Sequence, residues 1–215
     1  MAFQWGLEEI QSPVAGRKNS PGGNPRPIDP APVVGLLCSM DQQVVDPRML
    51  RGFNKLEFFC MVDLFRLPDT PNVSNRLSYY ARDGTCDHNG HPTFALLSTD
   101  YPPRETEFRI GNHLLLDDSK ETHLLQRQTP VMGAVEIPDG LVFPFPCLGV
   151  LQKGQYMLRY TLYNKTQNGP PLAKCFGQPF TVYSVNSYPG VSPPTQLSQL
   201  LARLKVPGFG SKYST

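Results

Sequence analysis

Residues 55–65, KLEFFCMVDLF, decide the fold class of this chain. Apolar side chains recur there at every second position, which is the period of an extended strand and not that of a helix. One face of that strand carries Leu56, Phe58, Cys60, Val62 and Leu64. The opposite face mixes Phe59, Met61 and Phe65 with two acids. Apolar side chains on both faces predict a strand in the middle of a sheet.

Outward from this stretch, four more segments have the composition of short strands. They are VVGLLC at 33–38, GLVFPFPCLGVL at 140–151, GQYMLRYTLYN at 154–164 and PFTVYSV at 179–185, with a turn at Lys153 and Gly154. The 215 residues include 18 glycines and 23 prolines. Together they form a share well above the ~12% that these two residue types make up in an average protein. Many short strands with frequent turn residues predict an all-β sandwich, and this length is sufficient for one large core.

The segment SPPTQLSQLLARL, residues 192–204, has a different pattern. Ser192 is a good helix N-cap, and Pro193 suits the first helical position. Leucines then recur at helical spacing and predict one buried stripe. These are Leu197, Leu200, Leu201 and Leu204. We therefore predict a C-terminal α-helix packed on the sandwich.

Three other segments have weaker patterns. Residues 1–11 are compatible with a short strand or helix around Trp5, and residues 68–93 with a hairpin or a long excursion between strands. The stretch DDSKETHLLQRQ at 117–128 permits a short helix capped by Ser119.

Residues 12–32 form a stiff arm rich in proline and glycine, with Arg17, Lys18 and Arg26 and no acid between Gln11 and Ile28. Arginine offers a flat fork for phosphate or guanine, and lysine a mobile point charge. Proline and glycine are expected to hold the arm off the sandwich, where such residues can reach a DNA groove, but from these residues alone a solvated linker is the favoured interpretation. Two other basic sets are interpreted as further candidates or as solubilising charge. They are Arg48, Arg51 and Lys55, and Arg203, Lys205 and Lys212.

Signals for catalysis and for metal binding are weak. Cys86, His88 and His91 cluster in CDHNGH, but a structural zinc site usually draws its ligands from two such knuckles, so a polar loop is the favoured interpretation. No nucleophile elbow or phosphate loop is present. Asp117 and Asp118 are adjacent in sequence and are expected to start a helix. We predict no catalytic residue, no metal and no cofactor, and therefore not an enzyme.

The start, MAFQWGLEEIQ, lacks the basic and apolar regions of a signal peptide, and no run of 18 apolar residues occurs. Five widely spaced cysteines do not resemble a disulfide framework. The formal net charge of +2 is too small to identify a polyanion partner by itself. An intracellular protein is the expectation, and the glycosylation sequons at Asn72 and Asn164 are then chance matches.

Two stretches resemble the velvet domain of fungal regulators. RPIDPAPVVGL at 26–36 resembles the opening strand of that family, which follows a basic segment. PFTVYSVNSYPGVSPPTQLSQLLARLKVPG at 179–208 is similar to its closing strand, turn and final helix. LEFFCMVDLF and GQYMLRYTLYNKT occupy the positions of two further family strands.

The resemblance implies an immunoglobulin-like, Rel-type sandwich that binds double-stranded DNA in the nucleus, with a possible cytoplasmic pool. It also implies a homodimer or a heterodimer with another velvet protein, and a role in development, sporulation and secondary metabolism. No membrane or small-molecule partner is expected. Arg26, directly before Pro27, matches the last basic position of the family's DNA-contacting run, and Arg17 and Lys18 lie in the same segment.

The predicted domain spans 12–207 and includes the arm at 12–32. It lies between an N-terminal segment at 1–11 and a tail at 208–215. Because SPGGNP separates the other two cations from Arg26, an alternative is an adaptor that dimerises with another velvet regulator and binds no DNA. A secreted sugar-binding sandwich is a third reading, which the start of the chain disfavours. The strand around FFC and the C-terminal helix are the predicted dimer face.

Overall fold

The computed structural model describes residues 3–18, 26–41, 43–67, 108–110, 113–115, 131–150, 152–166 and 170–209. Their strands are β1 Phe3–Gln11, β2 Ala15–Arg17, β3 Val33–Met40, β4 Gln43–Val44, β5 Phe58–Leu67, β6 Phe108–Ile110, β7 His113–Leu115, β8 Val131–Gly133, β9 Val135–Ile137, β10 Gly140–Pro144, β11 Leu148–Val150, β12 Gly154–Asn164, β13 Ala173–Phe176 and β14 Phe180–Tyr183. Two short 3-10 turns, Pro47–Met49 and Lys55–Glu57, and one α-helix, α1 at Gln196–Arg203, complete these elements.

Most of these strands form two sheets. The first sheet has the order β1-β3-β10-β9, with β4 beside β3, and the second has the order β2-β14-β12-β5-β8, with β13 beside β12. β11, β6 and β7 form a smaller antiparallel sheet. The central pair of the second sheet is β5 and β12, which run antiparallel from Phe58 opposite Asn164 to Leu67 opposite Gln155. The prediction that residues 55–65 supply a central strand is therefore confirmed.

The main core lies between the two sheets. Alternate residues of β5 and β12 point into it, and Val62, Leu158 and Tyr160 are fully buried there. From the first sheet, Leu7, Val34 and other inward side chains meet them. This arrangement confirms the all-β sandwich. Leu56 was predicted to lie on the same inward face but is 69% exposed, because it lies in the 3-10 turn that Asn54 caps before β5 begins.

The helix α1 packs on the outer face of the first sheet. Leu201 is fully buried there and belongs to a second apolar cluster with Val33, Val142 and Phe209. The C-terminal helix is confirmed, but Leu204, predicted to lie in the buried stripe, is 46% exposed at its end.

The predicted cap of this helix is wrong. Thr195 is the N-cap, and its Oγ1 accepts a hydrogen bond from the Ser198 N–H at 3.0 Å. Ser192 instead lies in an extended segment, where its N–H donates to the Asp29 carboxylate at 2.6 Å. The helix consequently starts after both prolines and not at Pro193.

A buried amide holds the start of α1 against the sandwich. The Gln11 Nε2 donates to the Ala31 carbonyl at 2.6 Å and to the Ser198 hydroxyl at 3.1 Å. The Thr195 hydroxyl donates to the other end of the same amide. Buried polar groups need such partners, and here they join β1, the segment before β3 and α1.

Residues 1–11 contain β1, which resolves the choice between strand and helix in favour of a strand. The hairpin predicted at 68–93, the helix predicted at 117–128, and Cys86, His88 and His91 lie outside the described residues. Four cysteines are described, and all are free thiols: Cys38, Cys60, Cys147 and Cys175. Among the described residues, no helix has the length and apolar composition needed to span a bilayer.

Candidate nucleic-acid interface

The basic arm is part of the second sheet along β2, which corrects the prediction that it stands off the sandwich. Ala15–Arg17 pairs with β14 in parallel, with Arg17 opposite Tyr183. The Lys18 N–H donates to the Tyr183 carbonyl at 2.9 Å and extends this pairing by one residue. The three residues of β2 have no apolar alternation, so no pattern in the sequence predicts this strand. It forms because β14 offers a free edge.

Arg26 returns to the same region on a backbone that is equally well held. Two residues further on, the Ile28 side chain is 2% exposed and its N–H donates to the Leu148 carbonyl at 2.7 Å. Asp29 exchanges backbone hydrogen bonds with Ala15 at 2.7 and 2.9 Å. The buried Ile28-Asp29 pair therefore fixes the backbone, while the Arg26 side chain lies at the surface.

Tyr188 is subject to the charges of both arginines. Burial raises the pKa of its phenol, the Asp29 carboxylate raises it further, and the charges of Arg26 and Arg17 lower it. Its ring lies 6.5 Å from that of Tyr183, the residue paired with Arg17. Arg17 and Arg26 are thus both close enough to one phenol to act on it electrostatically. Sequence reasoning missed both tyrosines, although basic residues close to aromatic ones are typical of nucleic-acid sites.

Lys153 is a fourth cation that the sequence did not assign to this site. Gly154 pairs with Val182, so the residue before it lies at the level of Tyr183, and its side chain is exposed. The turn at Lys153 and Gly154 was predicted, but its position beside β14 depends on strand register. We call the surface formed by Arg17, Lys18, Arg26 and Lys153 the basic end.

Negative charge is scarce at the basic end. In the described segments 14–18, 26–30, 152–155 and 180–192, the only acid is Asp29. Its side chain is 5% exposed and accepts the Ser192 N–H, so it is directed into the protein. Four cations around one buried carboxylate give a surface that attracts anions.

The other basic sets differ from this one. Arg48 forms an ion pair with Asp46 at 2.6 Å, and Lys55 forms one with Glu136 at 3.0 Å. Arg51, Arg203 and Lys205 are exposed, and Lys212 lies outside the described residues. Two cations of the set at 48–55 therefore have acidic partners in the fold, which favours a structural role for them.

Three of the described cysteines are poorly suited to act as nucleophiles. Burial raises the pKa of the Cys38, Cys60 and Cys147 thiols. A thiol with a raised pKa stays protonated at neutral pH and is a poor nucleophile. Within the described ranges, no cluster of three or more His, Cys, Asp or Glu residues could hold a metal ion. The basic end, which can bind anions, is therefore the strongest candidate site.

Comparison with known proteins agrees with the motifs at both ends of the domain. The family model described as Velvet factor matches residues 5–207. The chain is 29% identical over 232 residues to a probable velvet family sexual development regulator from Laccaria bicolor, covering 92% of this chain and 67% of that protein. It is 28% identical over 216 residues to another, from Schizophyllum commune, covering 93% of this chain and 69% of that protein. The family match includes all four cations of the basic end.

Proposed function

Because the chain belongs to the velvet family, we propose that it is a DNA-binding regulator of fungal development, and that the basic end contacts the DNA backbone. Two of its relatives are named as sexual development regulators, which supports the developmental part of this proposal. Action in the nucleus, as a homodimer or with another velvet protein, is part of the same proposal, as are roles in sporulation and secondary metabolism.

The observation that carries the proposal is the convergence of cations from three separate segments. Arg17 ends β2 and Lys18 follows it, Arg26 comes from the segment before β3, and Lys153 from the turn before β12. In the described segments that carry these cations the only acid is Asp29, and its side chain is 5% exposed. Cations on a rigid backbone lose less side-chain and loop entropy on binding than cations on a flexible linker.

The expected chemistry is phosphate binding. Each arginine can place a planar pair of N–H donors on one phosphate, and each lysine can contribute a point charge. Such contacts fix the position of a protein on the duplex and do not themselves read sequence. They release condensed counterions, so affinity falls with salt, with a log–log slope of about −0.9 for each phosphate neutralised.

The test is fluorescence anisotropy with a labelled random-sequence duplex over a range of salt concentrations. We expect salt-dependent binding, and we expect the triple variant Arg17→Ala, Lys18→Ala, Arg26→Ala to bind more weakly. Its log–log slope should be shallower by roughly 3, because three phosphate contacts are lost at about 0.9 each.

The control removes the same charge elsewhere. Arg51, Lys165 and Arg203 are exposed and lie on other parts of the fold, so the triple alanine variant at these positions should keep the wild-type slope. Equal losses in both variants would show that only net charge matters and would contradict an interface at the basic end. A folded wild-type protein that binds no duplex would contradict DNA binding by this chain alone and would favour the adaptor.

A further inference from the structure

The loop that follows β14 leaves the sheet beside the basic arm. β2 and β14 are parallel, so the chain emerges from both strands at the same end of the sheet. Lys18 follows β2 there and Ser184 follows β14, and the two strands remain hydrogen-bonded at that level through Lys18 and Tyr183. The loop at 184–192 therefore starts next to the cations that we propose to hold phosphates.

Both ends of this loop are fixed by residues of the basic arm. At its start, the Tyr183 carbonyl accepts the Lys18 N–H at 2.9 Å. At its end, the Ser192 N–H donates to the buried Asp29 carboxylate at 2.6 Å. Tyr188, within the loop, is half-buried and is influenced by the charges of Arg26 and Arg17. The loop and the cations therefore form one unit with a shared backbone framework.

The tip of the loop is a compact turn with exposed side chains. The Ser184 and Ser187 hydroxyls are 2.7 Å apart and close the turn across residues 185–187. Val185 is 43% exposed, and Asn186 is also exposed. The Asn186 amide makes no hydrogen bond to any part of the chain that the structure describes. Further along, Gly190 has φ +108, a conformation that favours glycine and directs the chain back toward Asp29.

We infer that the tip at 185–187 reads base edges in the DNA major groove, with Asn186 contacting an adenine and Val185 the methyl group of a thymine. This inference rests on the proposed function and deepens it, because phosphate contacts alone carry no sequence information. An asparagine amide matches the N6 donor and N7 acceptor of adenine, and an apolar side chain matches the thymine methyl. A turn held at both ends presents these groups with little entropy to lose on binding.

The first experiment is selection of bound sequences from a random duplex library by the wild-type protein and by Asn186→Ala. We expect the variant to lose its preference at one A·T pair, with discrimination lowered roughly 5- to 150-fold, the range for one bidentate base contact. Its affinity for random duplex and its salt slope should match the wild type, because the cations remain. Gln4→Ala removes an exposed amide from the far end of β1 and should select the wild-type motif unchanged.

Modified bases identify the atoms involved. Placing 7-deazaadenine at the selected adenine removes the N7 acceptor, which should weaken binding of the wild type and leave Asn186→Ala unaffected. Deoxyuridine in place of thymidine removes the methyl group, which should weaken the wild type and leave Val185→Ala unaffected. Coinciding thermal unfolding curves would show that each variant is folded.

The possible failures are distinct. If Asn186→Ala selects the same motif with the same preference, or if both proteins respond equally to 7-deazaadenine, the reading role of the loop is wrong while DNA binding by the basic end still stands. If the wild type binds duplex DNA with no base preference at all, the loop reads nothing and the inference fails in the same way. If the folded wild type binds no duplex, the proposed function fails and the inference fails with it.

Discussion

Glu9 is a charged side chain that joins the two sheets. It lies on β1, and its carboxylate accepts hydrogen bonds from the hydroxyls of Ser12 and Tyr160, both at 2.6 Å, and from the Gln178 N–H at 2.7 Å. Tyr160 is fully buried on β12 of the opposite sheet. Gly177 makes room for this contact, since a Cβ there would overlap the carboxylate. Burial raises the pKa of Glu9 above 4.5, although its three hydrogen bonds act in the opposite direction.

This raised pKa predicts a pH-dependent stability. The folded state takes up the Glu9 proton at a higher pH than the unfolded state does, so protonation favours folding. The contribution is fully present below pH 4.5 and is lost as the pH rises through the folded-state pKa. The unfolding free energy of the wild type relative to Glu9→Gln should therefore increase as the pH falls from neutral to 4.5, as measured by urea denaturation.

Glu8→Gln provides the matched comparison, because Glu8 is the exposed neighbour on the same strand. The difference in unfolding free energy between the wild type and Glu8→Gln should not increase in this way as the pH falls. Hydrogen bonds from Arg48 lower the pKa of Asp46, so the stabilising contribution of this carboxylate is lost at low pH. The loss is the same in all three proteins and cancels in the comparison. A wild-type advantage over Glu9→Gln that stays constant with pH would contradict this account of Glu9.

The helix α1 shows which parts of an element a sequence pattern can predict. Spacing identified a leucine stripe, and Leu201 is buried as expected, but Leu204 at the end of the same stripe is 46% exposed. The cap was misplaced because Asp29, which is distant in sequence, engages the Ser192 N–H. Local patterns give the existence and the face of a helix, whereas its boundary depends on partners that the sequence does not identify.

The two leucines give a matched pair of variants. Leu201→Ala should lower the unfolding free energy by about 2–5 kcal/mol, because it removes a fully buried side chain between α1 and the first sheet. Leu204→Ala should change it by less than about 0.5 kcal/mol, since that side chain is largely solvated. Urea denaturation measures both. Equal effects would mean that α1 does not dock through Leu201.

For the molecule as a whole, alternation predicted the main strands of the sandwich, and the motif around Ile28-Asp29 is the reason to expect a binding role for the basic residues before it. The position of β2 and the inclusion of Lys153 could not be predicted in this way. Both follow from β14 pairing with β2 on one side and with β12 on the other, and such long-range register has no signal in a three-residue strand. The loop that we propose to read bases depends on the same pairing.

The proposed dimer also concerns the whole molecule. The predicted dimer face combined β5 and α1. Because the apolar stripe of α1 packs against the first sheet, only the outward side of β5 remains as a candidate contact. Phe59 lies there, half-buried, with its ring 5.4 Å from that of Tyr163. We expect sedimentation above micromolar concentration to give twice the monomer mass, and Phe59→Ala to weaken the association.

Phe3→Ala, at an exposed aromatic residue on β1, should leave the association unchanged. A wild-type monomer at all concentrations that also fails to bind a second velvet-family protein would contradict dimerisation through this chain. Equal weakening by both substitutions would exclude β5 as the specific contact.

The parallel pairing of β2 with β14 has a consequence for the order of events during synthesis. The ribosome makes Arg17 and Lys18 early, but the strand that holds them is made only after most of the domain. A nascent chain that ends before Phe180 carries all four cations and no platform on which to arrange them. We therefore expect the arrangement of cations that we propose for DNA binding to form late, when β14 joins the sheet and pairs with β2.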